Sequence, residues 1–338
     1  MTALRSPLLA IACASLLLNC GALGAPARGD RDLPSTVLGG YAAVALETSP
    51  TGSALLLTAD DGSIDEPSVI VMPDGRRAVY GTHTTGAGAV RIARAIERSA
   101  RHLRFEPLQT VLEATSPWEQ GAVRAPSIAR DGATLWLFYE AGGAIGAARS
   151  SDGVAFERQS EPVLRGDAAR GEAATVSAPC VVAHPSGGFV MAYASGGALF
   201  FARAQQLPGP WTRVGAGPVA SPSALPEGGL ESLGDPALVI ERTGAGRTLI
   251  AMAASARGAG AVTSVVGFAA YESDVVPVFS RADRALYAER VAGVSAGSFD
   301  RIDARTMLLW VGRTDRTRSV VGALITPGGL RAGNPFTP

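Results

Sequence analysis

A proline that returns at near-regular intervals, each time at the head of a β-prone run, constrains this chain more than any other feature. Glu66-Pro67-Ser68-Val69-Ile70, Ala125-Pro126-Ser127-Ile128-Ala129, Ala178-Pro179-Cys180-Val181-Val182 and Asp235-Pro236-Ala237-Leu238-Val239 carry it, with the prolines 59, 53 and 57 residues apart. A Pro-less fifth copy, Val294-Ser295-Ala296-Gly297-Ser298, parallels Val176-Ser177-Ala178-Pro179-Cys180 and sets Gly297 61 residues beyond Pro236. A repeat of this length is one supersecondary unit that cannot bury its faces alone.

The second copy shows the unit. Pro126 to Arg130 leads through Asp131-Gly132 to Leu135-Trp136-Leu137-Phe138-Tyr139; Gly142-Gly143 then precedes Ile145 to Arg149, and Ser151-Asp152-Gly153 precedes a segment through Phe156 to Val163-Leu164. The third copy repeats the order, with Ser186-Gly187-Gly188, Phe189 to Tyr193, Gly196-Gly197, Leu199 to Arg203 and Trp211. Four β-rich runs bounded by turn dipeptides are four strands. Five such units close a ring, so the expected fold is all-β: a five-bladed β-propeller with four-stranded antiparallel blades around a central cavity. The 41 Gly and 22 Pro scattered along the chain argue against helices, and only Val90 to Leu103 has helix-like spacing. The segment Thr36 to Leu46 is expected to supply a strand to the last blade.

Before the repeats, Arg5, the apolar stretch Leu8 to Leu18 and the small residues Ala22, Gly24 and Ala25 read as an export signal. Leu17-Leu18-Asn19-Cys20 also resembles a lipoprotein box, with Cys20 the residue that would be acylated. The expected organisation is a signal over 1–24, a polar linker over 25–35, the propeller over 36–332 and a tail over 333–338. The destination is periplasmic, extracellular or lipid-anchored to the envelope. Processing leaves Cys180 and at most Cys20, so no disulfide framework holds the fold, and Cys180 inside an apolar run reads as a buried inert thiol.

No Lys occurs, and 30 Arg balance 30 acidic residues. A Schiff-base or phosphate-loop lysine is excluded, and the neutral balance gives no footprint for nucleic acid. His83, His102 and His184 are too scattered for a His-rich zinc site. No cofactor or metal is expected, and membrane contact only through a lipid anchor. The domain is expected to be a monomer.

Glu66-Pro67-Ser68-Val69-Ile70 leading to Ala78-Val79-Tyr80-Gly81-Thr82, with Ser150-Ser151-Asp152-Gly153-Val154-Ala155-Phe156 closing the second unit, resembles the five-bladed propellers of glycoside hydrolase families 43, 32, 68 and 130. The resemblance covers about residues 60 to 330 and implies a site for a glycan or oligosaccharide in the central cavity. Glycoside hydrolysis needs one carboxyl to protonate the departing oxygen and another to activate water or attack the sugar. The resemblance sets Glu66 at the family's base, beside Asp65, but its two other acidic positions are Ser127 and Ser177 here. The acid must then come from elsewhere: Asp235, at the fourth-blade position equivalent to Glu66, or Glu172 in a loop before the third blade.

With Ser127 and Ser177 leaving it few acidic neighbours, Glu66 is expected as an ordinary ionised carboxylate held by Arg124. Arg124 could equally clamp a substrate carboxylate. Trp118, in a loop, is the candidate for stacking on a sugar face, against core packing. Asp300 and Arg301 follow the fifth entry strand, and His83 ends the second strand of the first unit, where a structural hydrogen bond is the alternative. Ser150-Ser151-Asp152-Gly153, a shortened Asp-box, reads as a turn stabiliser. Two further readings stand beside the glycoside-hydrolase-like one: a non-catalytic carbohydrate-binding propeller, and a protein-interaction propeller with an apolar patch on one face. The export reading predicts that mass spectrometry of the native protein shows loss of residues 1–19, with Cys20 first, or of residues 1–24; an intact Met1 terminus contradicts both.

Overall fold

The computed structural model describes residues 41–45, 54–100, 103–224, 230–242, 246–258, 263–272, 280–281, 287–288, 293–301, 307–313 and 319–327. The expected signal with Cys20, the linker and the C-terminal tail lie outside them. The architecture is an all-β propeller with four-stranded antiparallel blades.

Two strands, β1 (Tyr41–Ala45) and β2 (Ala54–Leu57), precede the repeats. The first sheet comprises β3 (Ser63–Val71), β4 (Arg77–Thr84), β5 (Val90–Ile96) and β6 (Gln109–Leu112). The second comprises β7 (Arg124–Asp131), β8 (Thr134–Ala141), β9 (Ala144–Ser150) and β10 (Glu157–Arg158). The third comprises β11 (Ser177–Ala183), β12 (Phe189–Ser195), β13 (Ala198–Ala204) and β14 (Thr212–Arg213). In the fourth, β15 (Leu230–Arg242), β16 (Thr248–Gly258), β17 (Thr263–Tyr271) and β18 (Ser280–Arg281) follow in order, and β19 (Tyr287–Ala288) also pairs with β17. The last joins β20 (Val294–Arg301), β21 (Met307–Arg313) and β22 (Ser319–Pro327) to β1, with β2 also on β22. The strand expected near the N-terminus thus runs antiparallel to β22, pairing Tyr41 with Pro327.

Strands β3, β7, β11, β15 and β20 neighbour one another in that order, and β20 returns to β3. Stacked sheets bury both faces of their middle strands, so β4, β8 and β12 are buried almost throughout, and β8 and β12 read as near-continuous apolar runs. The helix-like spacing after Val90 belongs instead to strand β5, whose Ile92 and Ala93 are fully buried against β4. Here sheet pairing overrides local pattern.

The repeat proline marks a bulge. Strand register slips at the same place in all five inner strands: Asp65/Ser68, Arg124/Ser127, Ser177/Cys180, Gly234/Ala237 and Ala296/Ser298. In the four Pro-containing copies the residue before the proline is left-handed, with φ of 50° at Glu66, 45° at Ala125, 47° at Ala178 and 41° at Asp235. Such a conformation costs a non-glycine residue about 1–3 kcal/mol. The bulge turns these residues toward the propeller axis.

The residue after the proline joins neighbouring sheets. Ser298 Oγ accepts the Val69 amide at 3.0 Å, Ser68 Oγ the Ile128 amide at 3.0 Å, and Ser127 Oγ the Val181 amide at 2.8 Å. Cys180 does the same for the Leu238 amide, and burial pushes its thiol up to about 12, so it is inert. The fourth copy has Ala237, which offers no side-chain acceptor. A buried ionic cluster of Arg77 with Glu97 and Asp300 ties β4 to β20 across the closure. The Asp-box is a turn, with Asp152 Oδ1 accepting the amides of Val154 and Ala155, and Tyr80 of the preceding sheet donating to the Gly153 carbonyl at 2.8 Å.

Ser127→Ala strips the buried Val181 amide of its acceptor, so urea unfolding should show a loss of about 1–3 kcal/mol. A loss below about 0.5 kcal/mol would mean that these contacts are incidental to stability.

Candidate functional site

The five bulges meet at the axis. Glu66, Ala125, Ala178, Asp235 and Ala296, each with the Pro or Gly that follows, line a central well of about 20 Å³, room for roughly one water. A larger cavity of about 320 Å³ shares Glu66 and Asp235 and extends along Asp65, Ser232, Ser255, Arg257 and Ser295. That is the size of a small-molecule site. The ring of pre-proline positions therefore carries two carboxylates and three alanines.

Both carboxylates are anchored through one oxygen. Glu66 Oε2 accepts from Thr82 Oγ1 at 2.5 Å and from the Ala125 amide at 3.0 Å. Asp235 Oδ2 accepts from Ser255 Oγ at 2.6 Å. Among the described residues, no hydrogen bond falls on Glu66 Oε1 or Asp235 Oδ1. Asp65 stands beside them, its Oδ1 accepting from Ser295 Oγ at 2.7 Å and from the Glu66 amide at 2.7 Å. It lies against bare backbone at Gly312, where a Cβ would come within 1.6 Å of Oδ1.

Burial, then the charges of Asp235 and Asp65, hold the Glu66 carboxyl up at about 8 against the lowering effect of Thr82. Burial, then Asp65 and Glu140, raise Asp235 to about 6. The expectation of an ordinary ionised Glu66 held by Arg124 is therefore corrected. Like charges surround it, and the two carboxyls retain a proton into the neutral range. Arg124 is exposed and stands opposite Glu140 in the β7–β8 register, where its charge acts on Glu140.

The sequence did not reveal Thr82, Ser232, Ser255, Arg257 and Ser295, which hold or line the site, nor Glu140, which stands beside it. Glu140 is the penultimate residue of β8, and its Oε2 accepts the Ala178 amide at 3.4 Å. Burial raises its carboxyl, with Arg124 opposing. The signal was its place fourteen residues after Pro126, where Thr82 stands fifteen after Pro67.

Other expected site residues are committed elsewhere. Glu172 lines neither cavity: Oε1 takes the Tyr193 hydroxyl at 2.6 Å and Arg213 Nε at 2.7 Å, and Oε2 takes the Asp167 amide at 2.9 Å. Glu119, likewise seven residues before its proline, makes the same lock with Tyr139, Arg158 and the Thr115 and Ser116 amides. Although burial alone would raise the Glu172 carboxyl, these donors bring it below its usual range, so it is no proton donor. Trp118 sits in a short 3₁₀ turn, Pro117–Glu119, and stacks on Tyr139 with centroids 6.1 Å apart, half-buried against the core. Ser127 joins two sheets, and Ser177 Oγ donates to the Ala194 carbonyl at 3.4 Å. His83 is buried, its Nε2 2.6 Å from the Asp61 carbonyl oxygen. Asp300 is held by Arg77, and only the backbone of Arg301 is described. Among the described residues, no group of three or more His, Cys, Asp or Glu side chains is placed to hold a metal ion.

No family model matches the sequence, and no curated protein matches it. Solved structures do. A glycoside hydrolase aligns with a TM-score of 0.63 at 15% identity, over 84% of this chain and 95% of its own. The GH43_1 enzyme from Xanthomonas citri aligns at 0.58 and 16%, over 84% and 98%. The endo-arabinase from Bacteroides thetaiotaomicron aligns at 0.59 and 11%, over 83% and 99%. The likeness is one of fold.

A carboxyl raised from 4.5 toward about 8 binds more protons folded than unfolded between those values, so its contribution to stability falls as pH rises through them. Glu66→Gln keeps the acceptor for Thr82 and Ala125 and removes the titration. Relative to wild type, the variant should gain stability from pH 5 to pH 8 in urea unfolding. A difference that stays flat or moves the other way contradicts the buried, proton-retaining Glu66.

Proposed function

We propose that this chain is an exported, five-bladed, glycoside-hydrolase-like propeller that acts on a glycan or oligosaccharide at its central cavity. One observation carries the reading: Glu66 and Asp235, on separate blades, face one cavity with one carboxylate oxygen each left unbonded. A pair that shares one proton near neutrality keeps the other carboxyl ionised as a poised base, one of the two carboxyl roles that glycoside hydrolysis requires. The folds of the glycoside hydrolases it resembles support the same reading, and the export signal fits a substrate outside the cytoplasm. Glu66 acts as the base at the sugar carbon, tuned by Asp235 and Asp65.

Incubation of the mature domain with a panel of oligosaccharides should release reducing ends, and Glu66→Gln and Asp235→Asn should each slow this by at least about 100-fold. Wild-type binding without turnover, weakened by Glu66→Gln, would select the non-catalytic carbohydrate-binding reading instead. Loss of both Ser127 and Ser177 to structural work favours that second reading. The protein-interaction reading is the weaker one: among the described residues, Val71 is the one large hydrophobic side chain that is exposed.

A further inference from the structure

Carboxylates in this molecule fall into two classes by how their oxygens are used. Glu119 and Glu172 have both oxygens taken by tyrosine, arginine and backbone donors. In Glu97, Oε1 takes the Leu103 amide and Oε2 takes Arg77. Glu66 and Asp235 keep one oxygen anchored and one without a hydrogen bond. Glu140 belongs with the second class: Oε2 accepts the Ala178 amide, and among the described residues no hydrogen bond falls on Oε1.

Its position is also specific. The pre-proline amide of the second inner strand, Ala125, is received by Thr82 Oγ1 of the preceding sheet at 2.8 Å. Glu140 takes the equivalent seat one sheet further on, receiving the Ala178 amide, and Ala178 is an alanine wall of the well. A hydroxyl would satisfy that amide, as Thr82 does. A glutamate is longer, half-buried, and brings a second oxygen and an exchangeable proton to a wall that otherwise has no chemistry. Strand β7 sets Arg124 opposite it, and β11, packed on β8, brings no acidic or basic residue. Glu140 borders the well through Ala178 rather than lining it, and its charge reaches Glu66 and Asp235.

We propose that Glu140 is a catalytic residue, the proton donor to the departing glycosidic oxygen, facing the Glu66 and Asp235 pair from the wall of the third inner strand. This rests on the hydrolase reading above. The Glu140 carboxyl gives its proton to the glycosidic oxygen as the bond from that oxygen to the anomeric carbon breaks. Water forms the new bond to that carbon and loses its proton to the Glu66 and Asp235 pair, and exchange with solvent restores both. Burial holds the Glu140 carboxyl above its usual range, as a donor needs, and Arg124 limits that rise.

The test compares leaving groups on the whole mature domain. Loss of a proton donor matters when the departing oxygen is basic and little when it is not. Glu140→Gln should slow an alkyl glycoside or oligosaccharide by about 10²–10⁴-fold, yet a 2,4-dinitrophenyl glycoside of the same sugar by less than about 10-fold, and should abolish the alkaline limb of the pH profile. Arg124→Ala removes the nearby cation, so it should move that limb to higher pH; this second variant tests the idea even if Glu140→Gln folds poorly. Equal slowing of both substrates, or a limb unmoved by Arg124→Ala, with wild type active and Glu66→Gln inactive, overturns the role of Glu140 and leaves the hydrolase reading standing. A wild type that binds glycans and cleaves none overturns both.

Discussion

Four of the five inner strands of this propeller hand a side-chain acceptor to the backbone of the next. Ser68 serves Ile128, Ser127 serves Val181, Cys180 serves Leu238, and Ser298 serves Val69. These contacts join sheets that would otherwise meet only through apolar faces, and they fix how far each inner strand stands along the axis from its neighbour. The bulge beside each one depends on that fixed level. Four residues are held in a left-handed conformation that none would adopt alone, and the packing around them supplies what that costs.

That geometry explains why chemistry collects where it does. An inner strand without the bulge would alternate its side chains between the two faces of its sheet. With it, one residue per strand points at the axis, and whatever occupies that position meets its counterparts. Two acids among three alanines then confront each other with little solvent between them, and the proton they retain follows from the arrangement rather than from any single neighbour. The second strands add their own inward ring, in which Thr82 and Ser255 steady those acids and Glu140 adds another.

The repeat prolines, the four-strand unit and the pairing of Glu66 with Asp235 were legible because each sits in a local pattern that short-range physics dictates. Glu140 was not, since it follows the apolar run Leu135 to Tyr139 and only the packing of β8 against β11 brings it to the Ala178 amide beside the well. Glu172 misled for the opposite reason. A carboxylate shortly before an entry strand looks like a site residue in one copy, and only its twin Glu119, with the same three kinds of donor, shows it to be a clamp. Trp118 and Asp300 were misplaced because burial and partner, not sequence position, decide whether an aromatic or an acid faces solvent. The helix-like spacing after Val90 shows the same limit, for a strand between two others need not alternate.

The fifth copy lacks the proline, and the packing gives the reason. Gly297 meets Pro67 across the closure, where an added Cβ would stand 2.2 Å from the Pro67 carbonyl oxygen. Four inner strands have room for a proline at this position, but at the joint where the first and last sheets meet, the backbone and ring of Pro67 already fill that space. Gly297 is a fitted joint, smaller than the rest so that the others can be alike. The copy that looks most eroded in the sequence is thus the one cut to size, and its departure from the pattern is a dimension of the ring.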